Sequence, residues 1–347
     1  MTLVRTLRSV LDPRDIIGQV NRNYSWTGVS CGHLFYRASH DTYLVRHEGR
    51  GYVYKVFLPG HDEEAHREVD LTNHLAASGI GVAAVMSDRS GEQVTALRAS
   101  EGWRPAVLSE LVEGPDERTG GPTNFEELGR SIARLHGALD RYSGVPRRSS
   151  EEIAGTPAAL QLTLARIEGS RHLPPPIRNR LIEVGARLTD AVEHVDWDRL
   201  EIGLIHGDLH QGNIRRHRRG NRPVFLDWEL AGNGPRCADL AAVVWSLRSD
   251  RATAQSAAAA LQGGYQEARS GASPSAVLGL QVALRDYWRL GYLLVRDSDE
   301  GFGWVLEAVA PYVARCAAKW LDDHERGRLE PNSQAEPIDG PSGVIAC

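Results

Sequence analysis

The 347-residue sequence lacks the features that mark several common classes of protein. Its four cysteines include no C-x-x-C pair, which argues against a zinc site or a disulfide framework. No apolar run approaches the length of a membrane span and the N-terminus is too polar for a signal peptide, so we expect a cytoplasmic protein with no membrane partner. The formal net charge of −5 argues against a nucleic-acid partner, which normally requires a basic surface. The oligomeric state stays open.

Lysine is almost absent from the sequence, since Lys55 and Lys319 are the only two among 40 basic residues. Lys55 lies within "GYVYKVF", a run typical of a strand. In a chain that uses arginine almost everywhere else, a lysine in the middle of a strand indicates a specific role.

The order of the predicted elements indicates two lobes. The runs "GHLFYRAS", "TYLVRHE" and "GYVYKVF" are separated by short polar turns and predict an antiparallel meander. A helix is predicted over "DEEAHREVDLTNHLAASG", followed by strand-like runs at "VAAVMSD", "QVTALRA" and "RPAVLSELV". Beyond residue 123 the apolar spacing becomes helical. We therefore predict an α+β, bilobal fold, with a β-rich lobe over 1–112 that begins with a helical extension, a helical lobe over 113–330 and a flexible tail over 331–347.

The segment "LIHGDLHQGNIRRHRRGNRPVFLDWE" (204–229) concentrates polar groups at the ends of apolar runs. Asp208, Asn213 and Asp227 each follow a run that is typical of a buried strand. Carboxylates are costly to bring near a core unless they are paired, and a metal ion with a triphosphate would pair with them.

Three functions compete for this segment. In a metal-dependent hydrolase, His206, Asp208 and His210 would share one face of a strand, but Asn213 is followed by isoleucine where the metallophosphatase pattern has histidine. A Walker loop needs Gly-Lys, which the sequence lacks, and "GIGVAA" (79–84) follows a helix instead of the strand that a dinucleotide fingerprint requires. Phosphoryl transfer of the protein-kinase type remains.

The kinase hypothesis depends on four elements in the right order. Asp208 and Asn213 are five residues apart, the spacing of an acceptor-orienting aspartate and a metal-binding asparagine. A hairpin at "RRHRRGN" would bring Asp227 back beside Asn213 and form a Mg²⁺ pocket. Upstream, Lys55 can reach the phosphates, and Glu68 on the following helix can pair with it; Glu63 and Glu64 in the same helix are the alternatives to Glu68.

"HGDLHQGN", followed by "LDWE" and "DLA", resembles the aminoglycoside phosphotransferase and choline kinase superfamily. The resemblance covers roughly residues 30–325 and implies a protein-kinase-like fold with ATP-dependent, sometimes GTP-dependent, phosphorylation of a hydroxyl group. It implies that Asp208 is the catalytic base, that Asn213 and Asp227 bind Mg²⁺, and that Lys55 with Glu68 binds phosphate.

The same resemblance assigns supporting roles. Residues 110–112, from Glu110 to Val112, would form the hinge whose backbone meets the adenine, and Asp239 would brace the catalytic loop. The loop that covers the phosphates, within "RASHDTYL", contains no glycine, so Ser39 to Thr42 would present amides and hydroxyls instead. His206 is expected to hold the loop through a backbone hydrogen bond, while His210 stays open between acceptor contact and solvent.

The sequence leaves the acceptor open. A small-molecule alcohol such as an antibiotic, amino sugar or metabolite is the first hypothesis, and a serine or threonine of a peptide, as in lanthipeptide maturation, is the second. A nucleotide-binding partner protein without turnover is the third. The arginines at 215, 216, 218 and 219 are typical of a solvated turn. Candidate contacts to a cationic acceptor follow near residue 290: Asp286, Tyr287, Asp297, Asp299 and Glu300.

Overall fold

A computed structural model gives the structure of residues 9–37, 39–114, 124–144, 153–216, 222–270, 277–300 and 303–326. Side chains are described for these residues except at 31, 33–37, 296–300 and 303–305. The predicted tail at 331–347 and the arginines at 218 and 219 lie outside the described residues.

An antiparallel sheet forms the first lobe. Its strands are β1 (Ser30–Arg37), β2 (Asp41–His47), β3 (Arg50–Val56), β4 (Val94–Ala99) and β5 (Gly102–Glu110). They lie in the order β1-β2-β3-β5-β4, which confirms the predicted meander of the first three. The strand predicted at "VAAVMSD" is wrong, because the segment makes only isolated bridges, from Val82 to Phe225 and from Val85 to Ser109. It connects the sheet to the second lobe instead of extending the sheet.

Two helices pack against this sheet. Helix α1 (Pro13–Tyr24) begins after Asp12, whose side chain accepts a hydrogen bond from the Arg14 amide and so caps the helix. Helix α2 (Asp62–Ala77) carries three acidic residues in its first turn, where they interact favourably with the helix dipole. Both helices bury apolar side chains in the core of the first lobe.

The second lobe is helical. Its helices are α3 (Phe125–Leu139), α4 (Pro157–Gly169), α5 (Pro175–Glu193), α6 (Cys237–Ser246), α7 (Arg251–Ala268), α8 (Leu278–Glu300) and α9 (Gly303–Glu325). Two short antiparallel pairs lie between α5 and α6: β6 (Ile202–Ile205) pairs with β9 (Gly232–Pro235), and β7 (Ile214–Arg216) pairs with β8 (Pro223–Phe225). The predicted α+β, bilobal architecture is therefore confirmed. The boundary at residue 112 stays a prediction.

The lobes meet at the β7–β8 hairpin. The amide of Phe225 donates to the carbonyl of Gly81 at 2.8 Å. A Cβ at Gly81 would lie 2.5 Å from the carbonyl oxygen of Pro223, so only glycine permits this approach of the two backbones. The hairpin that carries Asp227 is thereby fixed against the first lobe. No helix in the described part of the chain is long and apolar enough to cross a membrane.

Candidate active site

The predicted catalytic loop, residues 206–213, follows β6 and begins with a sharp turn at Gly207. This glycine has φ of 80°, and a Cβ there would lie 2.1 Å from the carbonyl oxygen of Leu230. Any side chain would therefore clash with the backbone after β8, which is why the sequence has Gly before Asp208.

Asp239, at the start of α6, holds this turn from below. Its buried carboxylate accepts hydrogen bonds from the amides of His206 and Gly207 at 2.8 and 3.0 Å, and lies 3.0 Å from Nε2 of His136. Burial opposes its charge, but these hydrogen bonds and the neighbouring histidines outweigh burial and hold the pKa of Asp239 below its ordinary value. The geometry is that of the bracing role predicted for Asp239.

His206 links the catalytic loop to the hairpin. The side chain is fully buried, and its Nε2 lies 2.8 Å from the carbonyl oxygen of Leu226. This contact to the backbone is the kind of structural role expected for His206.

Asp208 lies in the cleft with three polar neighbours. Arg285 of α8 forms an ion pair with its Oδ1 and donates to the Gly207 carbonyl at 3.2 Å. Nε2 of His210 lies 3.7 Å from Oδ2 of Asp208, and Nδ2 of Asn213 donates to the backbone carbonyl oxygen of Asp208 at 3.0 Å. The loop thus holds Asp208 and Asn213 in one short turn.

His210 is held in one tautomer. Its Nδ1 accepts a hydrogen bond from the Gly212 amide at 2.9 Å, so the proton lies on Nε2, the nitrogen toward Asp208. Burial lowers the pKa of His210, and the nearby Arg285 and Arg289 guanidinium groups act in the same direction. The His210 side chain is 14% exposed, so it does not point to solvent, and a contact with the acceptor stays a prediction.

Asp227 returns to Asn213 as the hairpin requires. The amide of Leu226 donates to the Asn213 carbonyl at 2.9 Å, which places the end of β8 beside the catalytic loop. Asp227 adopts φ of 63° and ψ of 76°, in the left-handed region that is uncommon for a residue with a side chain. Strained backbone of this kind clusters at functional sites.

Lys55 joins the two lobes electrostatically. Its Nζ lies 3.0 and 2.9 Å from the two carboxylate oxygens of Glu68 and 3.4 Å from Oδ1 of Asp227. Burial alone would lower the pKa of Lys55, but three neighbouring carboxylates outweigh it and raise that pKa. Lys55 is thus a fixed positive charge at the edge of the cleft.

The alternatives to Glu68 are accounted for. Glu64 is buried and lies 2.7 Å from both Nε2 of His40 and Nδ1 of His61, so it fastens α2 to the loop before β2. Glu63 is exposed at 90% of its side chain and faces solvent. His40, His61 and Glu64 also have the chemistry and the closeness of metal ligands, but the hydrogen bonds between them explain that closeness.

Ser39, between β1 and β2, reaches helix α8 of the second lobe. Thr42 pairs with Lys55 across β2 and β3, so both side chains point to the same face of the sheet. Ser39 Oγ lies 2.7 Å from the hydroxyl of Tyr292 on α8. The sequence did not predict the contact between Ser39 and Tyr292, because 253 positions separate the two residues.

The residues predicted to form the hinge lie at the end of β5. The amide of Glu110 donates to the Ala84 carbonyl at 2.9 Å, and the amide of Leu111 donates to the Gly51 carbonyl at 2.9 Å. These bonds fix the backbone at Glu110 and Leu111, and the contact with adenine stays a prediction.

Five residues were predicted to contact a cationic acceptor, and the two whose side chains are described do not line the cleft. Asp286 is 1% exposed and accepts a hydrogen bond from Trp245 Nε1 at 2.6 Å, and the fully buried Tyr287 donates to the Leu181 carbonyl at 2.6 Å. The side chains of Asp297, Asp299 and Glu300 lie outside the described part of the chain. The cleft-facing residues of α8 are basic and aromatic, and helical spacing alone did not show which face would turn inward.

The fold is that of the protein-kinase-like phosphotransferases. The sequence profile of the phosphotransferase enzyme family matches residues 37–273, and the chain belongs to that family, as its motifs predicted. It is therefore an enzyme that transfers a phosphoryl group to an acceptor hydroxyl.

Individual relatives are distant. An uncharacterized protein of Deinococcus radiodurans is 28% identical, over 85% of this chain and 86% of that protein. A homoserine kinase of Gluconobacter oxydans is 29% identical, over 57% of this chain but only 60% of that protein. Among solved structures, amicoumacin kinase hAmiN in complex with AMP-PNP, Ca²⁺ and Ami has a TM-score of 0.66 at 17% identity, covering 90% of this chain and 94% of that one. At that identity the likeness concerns the fold.

Proposed function

We propose that the protein transfers the γ-phosphoryl group of ATP to the hydroxyl of a small-molecule alcohol. The observation that carries this proposal is the approach of Lys55 to Asp227 across the cleft at 3.4 Å. It joins the phosphate-binding and metal-binding groups of a kinase in one site, beside the loop that presents Asp208. The hAmiN complex, which holds AMP-PNP and Ca²⁺, supports nucleotide and divalent-metal use on this fold.

ATP would lie between the sheet and the catalytic loop. Lys55, held by Glu68, would bind its phosphates, and Ser39 and Thr42 would cover them with hydroxyl and amide groups. Because the amides of Glu110 and Leu111 are engaged in backbone bonds, we assign the adenine contact within the hinge to Val112. GTP, which the family resemblance also implies, is the second candidate donor.

The donor set fits Mg²⁺. Carboxylate and amide oxygens are the ligands this hard cation prefers, and Asp227 supplies the first with 48% of its side chain exposed. The side-chain bond of Asn213 to Asp208 uses the amide nitrogen and not the oxygen Oδ1 that a metal needs. When bound by these two residues, Mg²⁺ would neutralise charge on the transferring phosphate.

Asp208 would act on the acceptor. Its carboxylate would orient the hydroxyl and take the proton as the oxygen bonds to the γ-phosphorus, while the bond from that phosphorus to the β-phosphate oxygen breaks and ADP leaves. Positioning and charge neutralisation supply most of the acceleration in such reactions.

The acceptor is proposed to be a small molecule because the named relatives act on small molecules: the Gluconobacter protein is a homoserine kinase, and hAmiN is an amicoumacin kinase in complex with Ami. No described contact specifically favours a peptide acceptor, or a partner protein without turnover.

A coupled ADP-release assay tests the proposal. The wild-type protein with Mg²⁺ and ATP should release ADP only with an acceptor, from a panel of amino alcohols, hydroxy acids, aminoglycosides and Ser/Thr peptides. Asp208→Asn should abolish the release. Turnover confined to peptides would replace the small-molecule acceptor, and failure to bind ATP in calorimetry would overturn the kinase assignment altogether.

A further inference from the structure

The acceptor side of the cleft is formed by one face of α8. Arg285 lies at Asp208, and Tyr292, seven residues or about 10 Å further along the helix, lies at the loop that covers the phosphates. In the proposed function, an acceptor at Asp208 would lie against the α8 residues between these two, one of which is Arg289.

Three arginines gather around Trp245 of α6. The guanidinium carbon of Arg248 lies 3.8 Å from the ring centroid of Trp245, and those of Arg285 and Arg289 on α8 lie 5.2 and 5.4 Å from it. Arg248 also donates to the Trp245 carbonyl at 3.0 Å. We call Arg248, Arg285 and Arg289 the arginine cluster. The planar fork of a guanidinium group matches the geometry of a carboxylate.

The buried acid beneath the cluster does not make the site acidic. Asp286 is held by Trp245 Nε1 and lies 3.6 Å from Nε of Arg248, with 1% of the residue exposed. Burial raises its pKa. Asp286 is thus turned beneath Trp245, and the basic α8 side chains that reach Trp245 or Asp208 are those of Arg285 and Arg289.

Arg285 forms an ion pair with Asp208, the proposed catalytic base. Its side chain is 3% exposed and pairs with Oδ1 of Asp208, and its Nε has no hydrogen-bond partner among the described residues. An acceptor hydroxyl must compete with this ion pair to reach Asp208. A buried guanidinium that loses its carboxylate needs another anion, because an uncompensated buried charge is strongly destabilising.

We propose that the acceptor carries a carboxylate, which binds the arginine cluster and draws Arg285 away from Asp208. This inference rests on the proposed kinase function and names its substrate class. A carboxylate accepts two parallel hydrogen bonds from the guanidinium fork. When bound, the acceptor's carboxylate would replace Asp208 as the partner of Arg285. The base would thereby be released only when an acceptor of the right charge is bound. Homoserine, the acceptor named for the Gluconobacter relative, carries both a hydroxyl and a carboxylate.

Matched acceptors test the proposal. 4-Hydroxybutyrate and 1,4-butanediol have the same chain length and differ only at one end, and L-homoserine and its carboxamide form a second pair. Wild-type protein should phosphorylate the carboxylate member of at least one pair with kcat/KM about tenfold or more above its neutral partner, the order expected for a charge-assisted pair. If neither member turns over, saturation-transfer NMR on the Mg·ADP-bound protein should still show binding of the carboxylate member alone.

Two variants and a control test whether Arg285 and Arg289 cause the preference for a carboxylate acceptor. Arg285→Gln should raise KM for the carboxylate acceptor about tenfold and so bring the kcat/KM ratio of a matched pair close to one. Arg289→Gln should lower the same ratio. Arg199→Gln, whose side chain is 87% exposed away from the cleft, should change neither.

Equal use or equal binding of both members of each pair, or no binding of either, would overturn the inference, as would a cationic acceptor that is preferred by wild type. Binding of a fluorescent ATP analogue with Mg²⁺ is measured in the same samples. Its loss would reject the kinase function itself, whereas its presence without a carboxylate preference would reject only the arginine-cluster proposal.

Discussion

The carboxylate of Asp227 lies 3.4 Å from the ammonium group of Lys55, although 172 positions separate the two residues in the chain. One comes from the third strand of the first lobe and the other from the end of the hairpin in the second. Their approach means that the proposed nucleotide site is assembled from both lobes, so single substitutions in either lobe should separate binding from turnover.

Glu68→Gln should raise KM for ATP about tenfold with a smaller change in kcat. The loss of the carboxylate removes a charge-assisted pair that holds Lys55 extended, and such bonds are roughly twice as strong as neutral ones. Glu63→Gln, on the same helix but with 90% of its side chain exposed, is the control and should behave as wild type. Steady-state kinetics at varied ATP decide, and an equal effect of both substitutions would show that helix stability is responsible.

Asp208→Asn should lower kcat by about 10²- to 10⁴-fold, the usual contribution of a positioned general base. The affinity for Mg·ATP should stay within about twofold, because in the proposed arrangement Asp208 faces the acceptor and not the nucleotide. Single-turnover kinetics and equilibrium nucleotide binding measure the two effects separately. A kcat within tenfold of wild type would remove Asp208 from the role of base.

Asp227→Asn should weaken nucleotide binding in the presence of Mg²⁺ and leave the weak metal-free binding unchanged. Asparagine tolerates the left-handed backbone at this position, so the fold is retained while the charge is lost. Asp227→Ala adds the backbone strain of alanine in that region, so its lower melting temperature would separate strain from metal binding. Calorimetric titrations with ATP, with and without Mg²⁺, provide the measurement.

Asp239→Ala should lower the free energy of unfolding by about 3–5 kcal/mol, the range for removing one partner of a buried charged network. The substitution leaves the amides of His206 and Gly207, together with His136, without their shared acceptor. Urea denaturation measures the change, and the exposed Asp198→Ala serves as control, with an expected change within about 0.5 kcal/mol. A small effect at Asp239 would mean that the turn at Gly207 is stable without its brace.

Stability should fall as the pH drops below about 6.5. Burial lowers the pKa of His136 and of His210, and neighbouring carboxylates oppose the shift without overcoming it. Below pH 6.5 the unfolded chain therefore binds more protons at these histidines than the folded chain does. The contribution of the neutral histidines to the free energy of unfolding is fully present above the ordinary histidine pKa of 6.5 and is lost progressively below it. Asp239, whose pKa is lowered, adds a loss only around and below its ordinary value of 3.8.

Melting temperatures between pH 7.5 and 5 test this dependence. His210→Asn keeps an acceptor for the Gly212 amide but cannot titrate, so the decline between pH 6.5 and 5 should be smaller in this variant than in wild type. A flat profile in the wild-type protein, or an identical slope in the variant, would contradict the assignment of the effect to His210.

Several features followed from the sequence because they depend on local chemistry. The five-residue spacing of Asp208 and Asn213, the hairpin that returns Asp227, and the capped and periodic helices are set by residues near one another in the chain. The segment at 82–88 is an instructive exception. Its residues favour a strand, yet contacts to Phe225 and Ser109 hold it between the lobes, because tertiary packing overrides a weak local preference.

The sequence alone therefore determined the family, the bilobal order of elements and the set of residues on the catalytic loop and its hairpin. Only the tertiary structure decided which side chains meet across the cleft: Arg285 on Asp208, Tyr292 on Ser39, and Asp286 turned into the core beneath Trp245. The physical reason is that a helix presents several faces of similar polarity. The face that turns inward is selected by packing against distant elements, so spacing along the chain did not show that Asp286 is buried while Arg285 lies at Asp208.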